Sequence, residues 1–302
     1  MRKIIIYCLL VSGILTLVCC QGVFGVDSDP ESPTTFSATI GPSASTKTTL
    51  APADNSGTRA VLWSSGDEVF IGGKEYTLTA GAGTTSGTLE GSGAVLSEGV
   101  YKAYYPKGIW KGSGTPPELS TQVHASGRID NLPMYAQSDG TDLTFHNLCA
   151  VLNLHLLGTG TVTRIEVKSE EHPLSGPFEV KGSEASGWYA SLLSGGTNTA
   201  TLTCPTAVTL SETEASDFFI ALPAGTYARG KLTVEVWGTG SPSSPLKFYR
   251  NDRAPASGSV LERSRVYYAG GASSAFDLGF EEVAWDGRLS AEWPEGVRWR
   301  EN

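Results

Sequence analysis

The chain has 302 residues, with 36 Gly, 16 Pro, 40% hydrophobic and 18% charged residues and a formal net charge of −9. That length holds one large domain or two of ordinary size, and the apolar content excludes a wholly disordered chain. A sequence pI near 5.0 argues against an electrostatic nucleic-acid binder, which needs clustered Lys and Arg.

The first twenty residues read as an export address. Arg2 and Lys3 form a short positive region, and Ile4 to Val18 is apolar, broken only by Tyr7, Cys8, Ser12, Gly13 and Thr16. The run is short for a membrane span and no stop-transfer cluster follows, so a cleaved signal is expected. It ends in Leu17-Val18-Cys19-Cys20, which resembles the bacterial lipoprotein cleavage box, where a hydrophobic and two small residues precede the cysteine that is lipidated. The resemblance makes Cys20 the lipidated residue, with Cys19 standing where Gly, Ala or Ser is usual. Ordinary cleavage after Gly25, behind Val23-Phe24-Gly25, remains the alternative. The body left behind is acidic, with 31 Asp and Glu in the chain against 22 Lys and Arg, two of which leave with the signal. Such a body faces water and not an anionic lipid surface.

Residues 21 to 34, with Pro30 and Pro33, read as a flexible tether. Strands then begin. Phe36, Ala38 and Ile40 alternate within Thr35 to Ile40, the period of a half-buried strand. A long loop of small polar residues runs from Gly41 to Thr58 and is closed by Arg59; Lys47 is its one internal base. Val61 to Trp63 and Glu68 to Ile71 flank Ser64-Ser65-Gly66-Asp67 in a hairpin-like pattern. Short strand signals follow at Tyr76 to Thr79, Val100 to Tyr105, Asp142 to Phe145, Ala150 to Leu156, Val162 to Val167 and Phe178 to Val180. The second half repeats the style at Thr199 to Thr203, Asp217 to Leu222, Leu232 to Trp237, Leu246 to Tyr249 and Arg265 to Tyr268. No stretch carries a sustained helical stripe; Ser257 to Arg263 is the nearest candidate for a short helix. Many short strands between Gly, Ser and Asn turns predict an all-β chain of sandwiches or barrels. The expected organisation is a signal peptide over 1–19, the lipidated cysteine and linker over 20–34, and two tandem β-sandwiches over 35–165 and 166–302, the second ending in a tail. Length favours two sandwiches in series, with the boundary placed near 157–176.

Site chemistry is sparse. His124, His146, His155 and His172 form no metal-spaced pair, no nucleophile elbow occurs, and no metal or cofactor is expected. Gly81 to Gly87 superficially resembles a phosphate cradle, but it lacks the Lys-Ser/Thr ending and reads as a hairpin loop. Asp139-Gly140-Thr141-Asp142 is too short for a calcium loop and reads as a turn. Glu170-Glu171 and Glu281-Glu282 are adjacent in sequence and so point to opposite faces of a strand, which makes them poor acid–base pairs. No enzyme is expected. Cys149 and Cys204 could pair in an exported protein, or could be buried small hydrophobes, which their apolar neighbours favour.

Several segments together resemble the fimbrillin family of Bacteroidales surface proteins. They are the lipoprotein-type leader, Phe36-Ser37-Ala38-Thr39-Ile40, Thr46-Lys47-Thr48-Thr49-Leu50, the Trp63-Ser64-Ser65-Gly66-Asp67 segment, Tyr104-Tyr105-Pro106 and Phe145 to Leu152. Beyond residue 180 only the style matches, as in Phe218 to Pro223. The resemblance implies two transthyretin-like β-sandwiches, an outer-membrane surface location through an acyl anchor, and a fimbrial or adhesive role with other subunits or surface ligands as partners. It also implies a mechanism in which a trypsin-like protease cuts after a basic residue near the first strand. Here that would be Arg59 in preference to Lys47. The lost strand, Phe36, Ala38 and Ile40 facing inward, would leave a groove that a neighbour's strand fills. Candidate donor positions are Leu289, Ala291 and Trp293, with Pro294 interrupting the run. The competing expectation is a non-polymerising, glycan-binding surface lipoprotein. It rests on aromatics such as Trp285, Trp293 and Trp299, whose plainer role is core packing.

Overall fold

The computed structural model describes residues 32–41, 49–50, 61–110, 114–126, 128–129, 132–239, 245–269, 278 and 280–282. The described residues form an all-β molecule; their one helical element is a three-residue 3-10 turn, Lys107–Ile109.

Seven strands close into a barrel. They are β1 (Thr35–Ile40), β2 (Glu68–Ile71), β3 (Lys74–Ala80), β4 (Ser86–Gly91), β5 (Tyr101–Tyr105), β6 (Met134–Ser138) and β7 (Asp142–Asn147). The order around the barrel is β1-β7-β6-β5-β2-β3-β4, and β4 returns to β1. Period-2 alternation places one row of each strand inside, so Phe36, Ala38 and Ile40 join Val69, Ile71, Leu78, Leu89, Ala103, Leu143 and Phe145 in one core. Closure leaves this sheet without a free edge.

Ser64 to Asp67 turns as expected but is not the bend of a hairpin. Val61–Leu62 pairs with Thr49–Leu50, and β2 pairs with β3 across Gly72-Gly73. The local pattern marks the turn, whereas the pairing partner is a tertiary choice. The Gly81 loop joins β3 to β4 and the Asp139 turn joins β6 to β7, both as expected.

Most of the remaining described residues form a sandwich. One layer is β8 (Cys149–Leu156) between β13 (Ser216–Pro223) and β16 (Val266–Ala269). The facing layer has seven strands, with β9 (Thr161–Ser169) between β12 (Thr199–Thr209) and β14 (Leu232–Gly238), and β15 (Lys247–Arg250) beyond β14. Leu152, Leu154, Ile165, Val167, Leu202, Phe218, Ile220, Val234 and Val236 fill the space between the layers. Ser257 to Arg263 does not form a helix; it carries the strand Ser259–Leu261, paired with Gly225–Tyr227. A seven-residue segment can satisfy its backbone by pairing when a partner strand is at hand, and a lone helix of that length is marginal.

A third core explains the continuous apolar run at Cys149 to Leu152. The outer face of β8 and β13 is covered by the hairpin of β10 (Gly176–Ser183) and β11 (Gly187–Leu192) and by Tyr135 of β6, with Phe178, Ala190, Val151, Phe219 and Ala221 packed together. β8 is therefore buried on both faces. The connection from β5 to β6 leaves the barrel to complete this region. Its strand Gln122–Ala125 adds in parallel to β12 of the sandwich before the chain returns to β6.

A candidate strand-acceptor groove

β1 is hydrogen-bonded on both sides. It runs antiparallel to β4, with Phe36 opposite Leu89 and Ala38 opposite Gly87, and parallel to β7, with Ala38 opposite Leu143 and Ile40 opposite Phe145. Ser37 N donates to Thr141 O at 2.9 Å and Ile40 N to Thr85 O at 2.8 Å; Gly41 N then continues the ladder to Phe145 O at 2.9 Å. The segment before β1 is held as well, because the Tyr76 hydroxyl donates to Pro33 O at 2.6 Å and Gly91 N to Thr34 O at 3.0 Å.

The inward row makes three different contacts. Phe36 is 0% exposed and meets Tyr76 and Tyr101 edge-on, at ring separations of 5.1 and 5.0 Å. Ala38 is fully buried opposite Gly87, where an added Cβ would stand 2.5 Å from the Leu78 Cδ1 and 3.3 Å from the Trp63 Cδ1. Two small residues thus leave room for one large indole. Ile40, also buried, closes the row. Thr35, Ser37 and Thr39 face outward and are exposed.

The Trp63 segment supplies the floor. Gly66 adopts φ +76°, and the Asp67 carboxylate accepts from Ser64 N at 2.6 Å and from the Tyr105 hydroxyl at 3.1 Å. That turn aims Trp63 into the barrel, where its ring lies edge-on to Tyr105 and Phe145. Trp63 N donates to Thr84 O at 2.8 Å and Gly83 N to Trp63 O at 2.7 Å, which ties the indole to the β3–β4 loop. The Trp-Ser-Ser-Gly-Asp segment is therefore a device for building the core beside β1.

Chemically, this arrangement is a slot. With β1 absent, β4 and β7 would both present unpaired backbone groups above an apolar floor, the two requirements of strand addition. β4 reads a partner in the antiparallel sense and β7 in the parallel sense. Of the other sequence-derived positions, Cys20, Lys47, Arg59, Leu289, Ala291 and Trp293 lie outside the described residues, as do Trp285 and Trp299.

Cys149 and Cys204 are both buried and free. They lie in different cores, Cys149 under the β10–β11 hairpin and Cys204 between the sandwich layers, so they do not form the disulfide that export would allow. Burial pushes the Cys149 thiol up to about 12 and the Cys204 thiol up to about 11. Both are then protonated near neutrality and poor nucleophiles. The histidines are spread apart: His146 bonds Glu184, His155 bonds Asp217, and His124 and His172 lie against Phe218 and Tyr227. Among the described residues no group of three or more His, Cys, Asp or Glu is placed to hold a metal ion. No helix among them is long and apolar enough to cross a membrane.

One residue with no sequence signal matters for the sandwich. Gln122 is 2% exposed, and its carboxamide accepts from Ala221 N at 2.7 Å and donates to Ala221 O at 2.9 Å. A side chain here takes the place of a neighbouring strand along β13.

No family model and no curated protein matches the chain. Solved structures do. One, described as a "putative cell adhesion protein" from Bacteroides ovatus ATCC 8483, is 14% identical with a TM-score of 0.44, over 79% of this chain and 92% of that one. Another with the same description, from Bacteroides fragilis NCTC 9343, is 12% identical with a TM-score of 0.38, over 84% and 96%.

Proposed function

We propose that this protein is a lipid-anchored surface protein of the fimbrial or adhesive type, which binds and assembles and does not catalyse. β1 is its replaceable element. The observation that carries the reading is the position of β1, which fills an apolar slot with Phe36, Ala38 and Ile40 while pairing on both sides. The leader ending in Cys20 supports export and anchoring, and the basic residues Arg59 and Lys47 in the connection to Val61 offer a protease a way to separate β1 from the body.

Mature protein from the native cell surface decides between processing and its absence. N-terminal sequencing is expected to find a species beginning at Ala60, and electron microscopy to find that species in filaments or at their ends. A start at residue 20 with no shorter species removes the cleavage step. Processed protein that stays monomeric and binds sugars on a glycan array supports the glycan-binding alternative.

A further inference from the structure

The barrel core beside β1 contains a buried polar atom with no hydrogen-bond partner. Trp63 is fully buried, and its indole Nε1 has no hydrogen-bond partner among the described residues. A buried donor left unpaired is uncommon in native proteins and costs stability. The indole edge bearing that N–H can be placed. Cδ1, bonded directly to Nε1, lies 3.3 Å from where a Cβ on Gly87 would stand, and Gly87 is the cross-strand partner of Ala38. Facing inward side chains of paired residues have Cβ atoms about 5 Å apart. Ala38 thus faces the same part of the core as that indole edge, and its methyl carries no acceptor for the N–H.

We propose that the slot under β1 is built for a strand carrying a small hydroxylated residue, Ser or Thr, where β1 carries Ala38. The inference rests on the strand-replacement reading above and names the chemistry of the partner at the same site. An incoming strand would keep a large apolar residue two positions to each side, as Phe36 and Ile40 do, and its hydroxyl oxygen would accept from Trp63 Nε1. Gly87 and Leu143 flank the position in the two neighbouring strands. β1 is then a plug that fills the slot by volume and leaves the indole N–H unmet, so a partner strand from another polypeptide is bound better than the resident.

The test uses the full chain in two arms. In the first, Ala38→Ser is made alone and together with Trp63→Phe. With Trp63 present, Ala38→Ser is expected to raise the unfolding equilibrium in favour of the native state by about two- to tenfold, the net worth of one hydrogen bond. The Trp63 indole proton resonance is expected to move downfield. In the Trp63→Phe background the same change lowers stability, because the hydroxyl is buried without a partner. An equal effect of Ala38→Ser in both backgrounds, with the indole resonance unmoved, overturns the proposal. Misfolding of Trp63→Phe leaves the indole resonance as the deciding readout.

In the second arm, two synthetic peptides spanning residues 33–42, one of natural sequence and one with Ala38→Ser, are incubated with the protease-cut chain. Native mass spectrometry reads the exchange. The substituted peptide is expected to enter severalfold more often. Equal entry overturns the partner preference, whereas entry of neither peptide overturns strand replacement itself, whatever the first arm shows.

Discussion

Removing the Phe36 side chain tests whether β1 is a structural plug or merely a strand lying on the barrel. Phe36→Ala deletes a ring that is fully buried among Tyr76, Tyr101 and Leu89. Buried Phe→Ala changes cost about 3–5 kcal/mol when the cavity cannot collapse. The two edge-on aromatic contacts place this site toward the upper end, at about 0.5–1.5 kcal/mol each beyond area burial. The neighbouring Ser37→Ala is the control, since Ser37 is exposed and surface changes usually stay within about 0.5 kcal/mol. Urea unfolding of both variants, followed by intrinsic fluorescence and circular dichroism, gives the comparison. The expected result is a large fall in midpoint for Phe36→Ala at an unchanged slope, with Ser37→Ala close to the parent. Equal midpoints for the two variants would falsify the assignment of Phe36 to a closed core.

Three further outcomes are expected. Gln122→Leu removes both bonds to Ala221 and leaves a buried N–H and C=O behind, at a cost of about 2–4 kcal/mol. Hydrogen exchange at the Ala221 amide should quicken with it, and an unchanged rate would show that the carboxamide does not hold that edge. Neither Cys149 nor Cys204 should react with an alkylating reagent in the native protein, and both should react in urea; native labelling of either would contradict its burial. Stability should fall on the alkaline side. Burial raises both thiols above the ordinary 9.0, and Tyr227 and Tyr249 above the ordinary 10.0. The unfolded chain therefore loses these protons first, and the stability present below about pH 9 is lost as the pH rises toward the folded-state values. Urea midpoints at pH 7, 9 and 10.5 that do not decline would contradict this.

How much of this was legible in the sequence depends on how local each feature is. The alternation of Phe36, Ala38 and Ile40 specifies a strand and its inward face, because side-chain period is a property of the backbone itself. The partners of β1 are another matter. β4 and β7 lie about 50 and 105 residues further on, and nothing in the six residues of β1 selects them. Barrel closure is equally non-local. The Trp63 to Asp67 segment is conspicuous in the sequence, and its reason is visible only in the fold, where Asp67 meets the Tyr105 hydroxyl and Gly66 has a positive φ. Gln122 carried no signal because a glutamine that completes a distant strand looks like any polar residue in a loop. The burial of β8 on both faces was foreshadowed by its unbroken apolar run, although the hairpin that covers it was not.

The two-sided pairing of β1 also constrains how strand replacement could work. While β1 is joined to Val61 through residues 41–60, a rival strand competes with a tethered one, whose effective concentration is of millimolar order or higher. Free partner strands at ordinary concentrations lose that contest even when they bind somewhat better. Cutting the connection leaves the ladders of β1 to β4 and β7 and the contacts of Phe36 in its aromatic pocket in place, so β1 stays seated after the cut. What the cut changes is the order of the reaction. Departure of β1 becomes a dissociation into solution, rebinding becomes second order, and a small advantage in side-chain fit then decides which strand remains. On the proposed reading, proteolysis grants permission and the polar mismatch between Ala38 and Trp63 supplies direction. A slot satisfied completely by its own plug would have the first without the second.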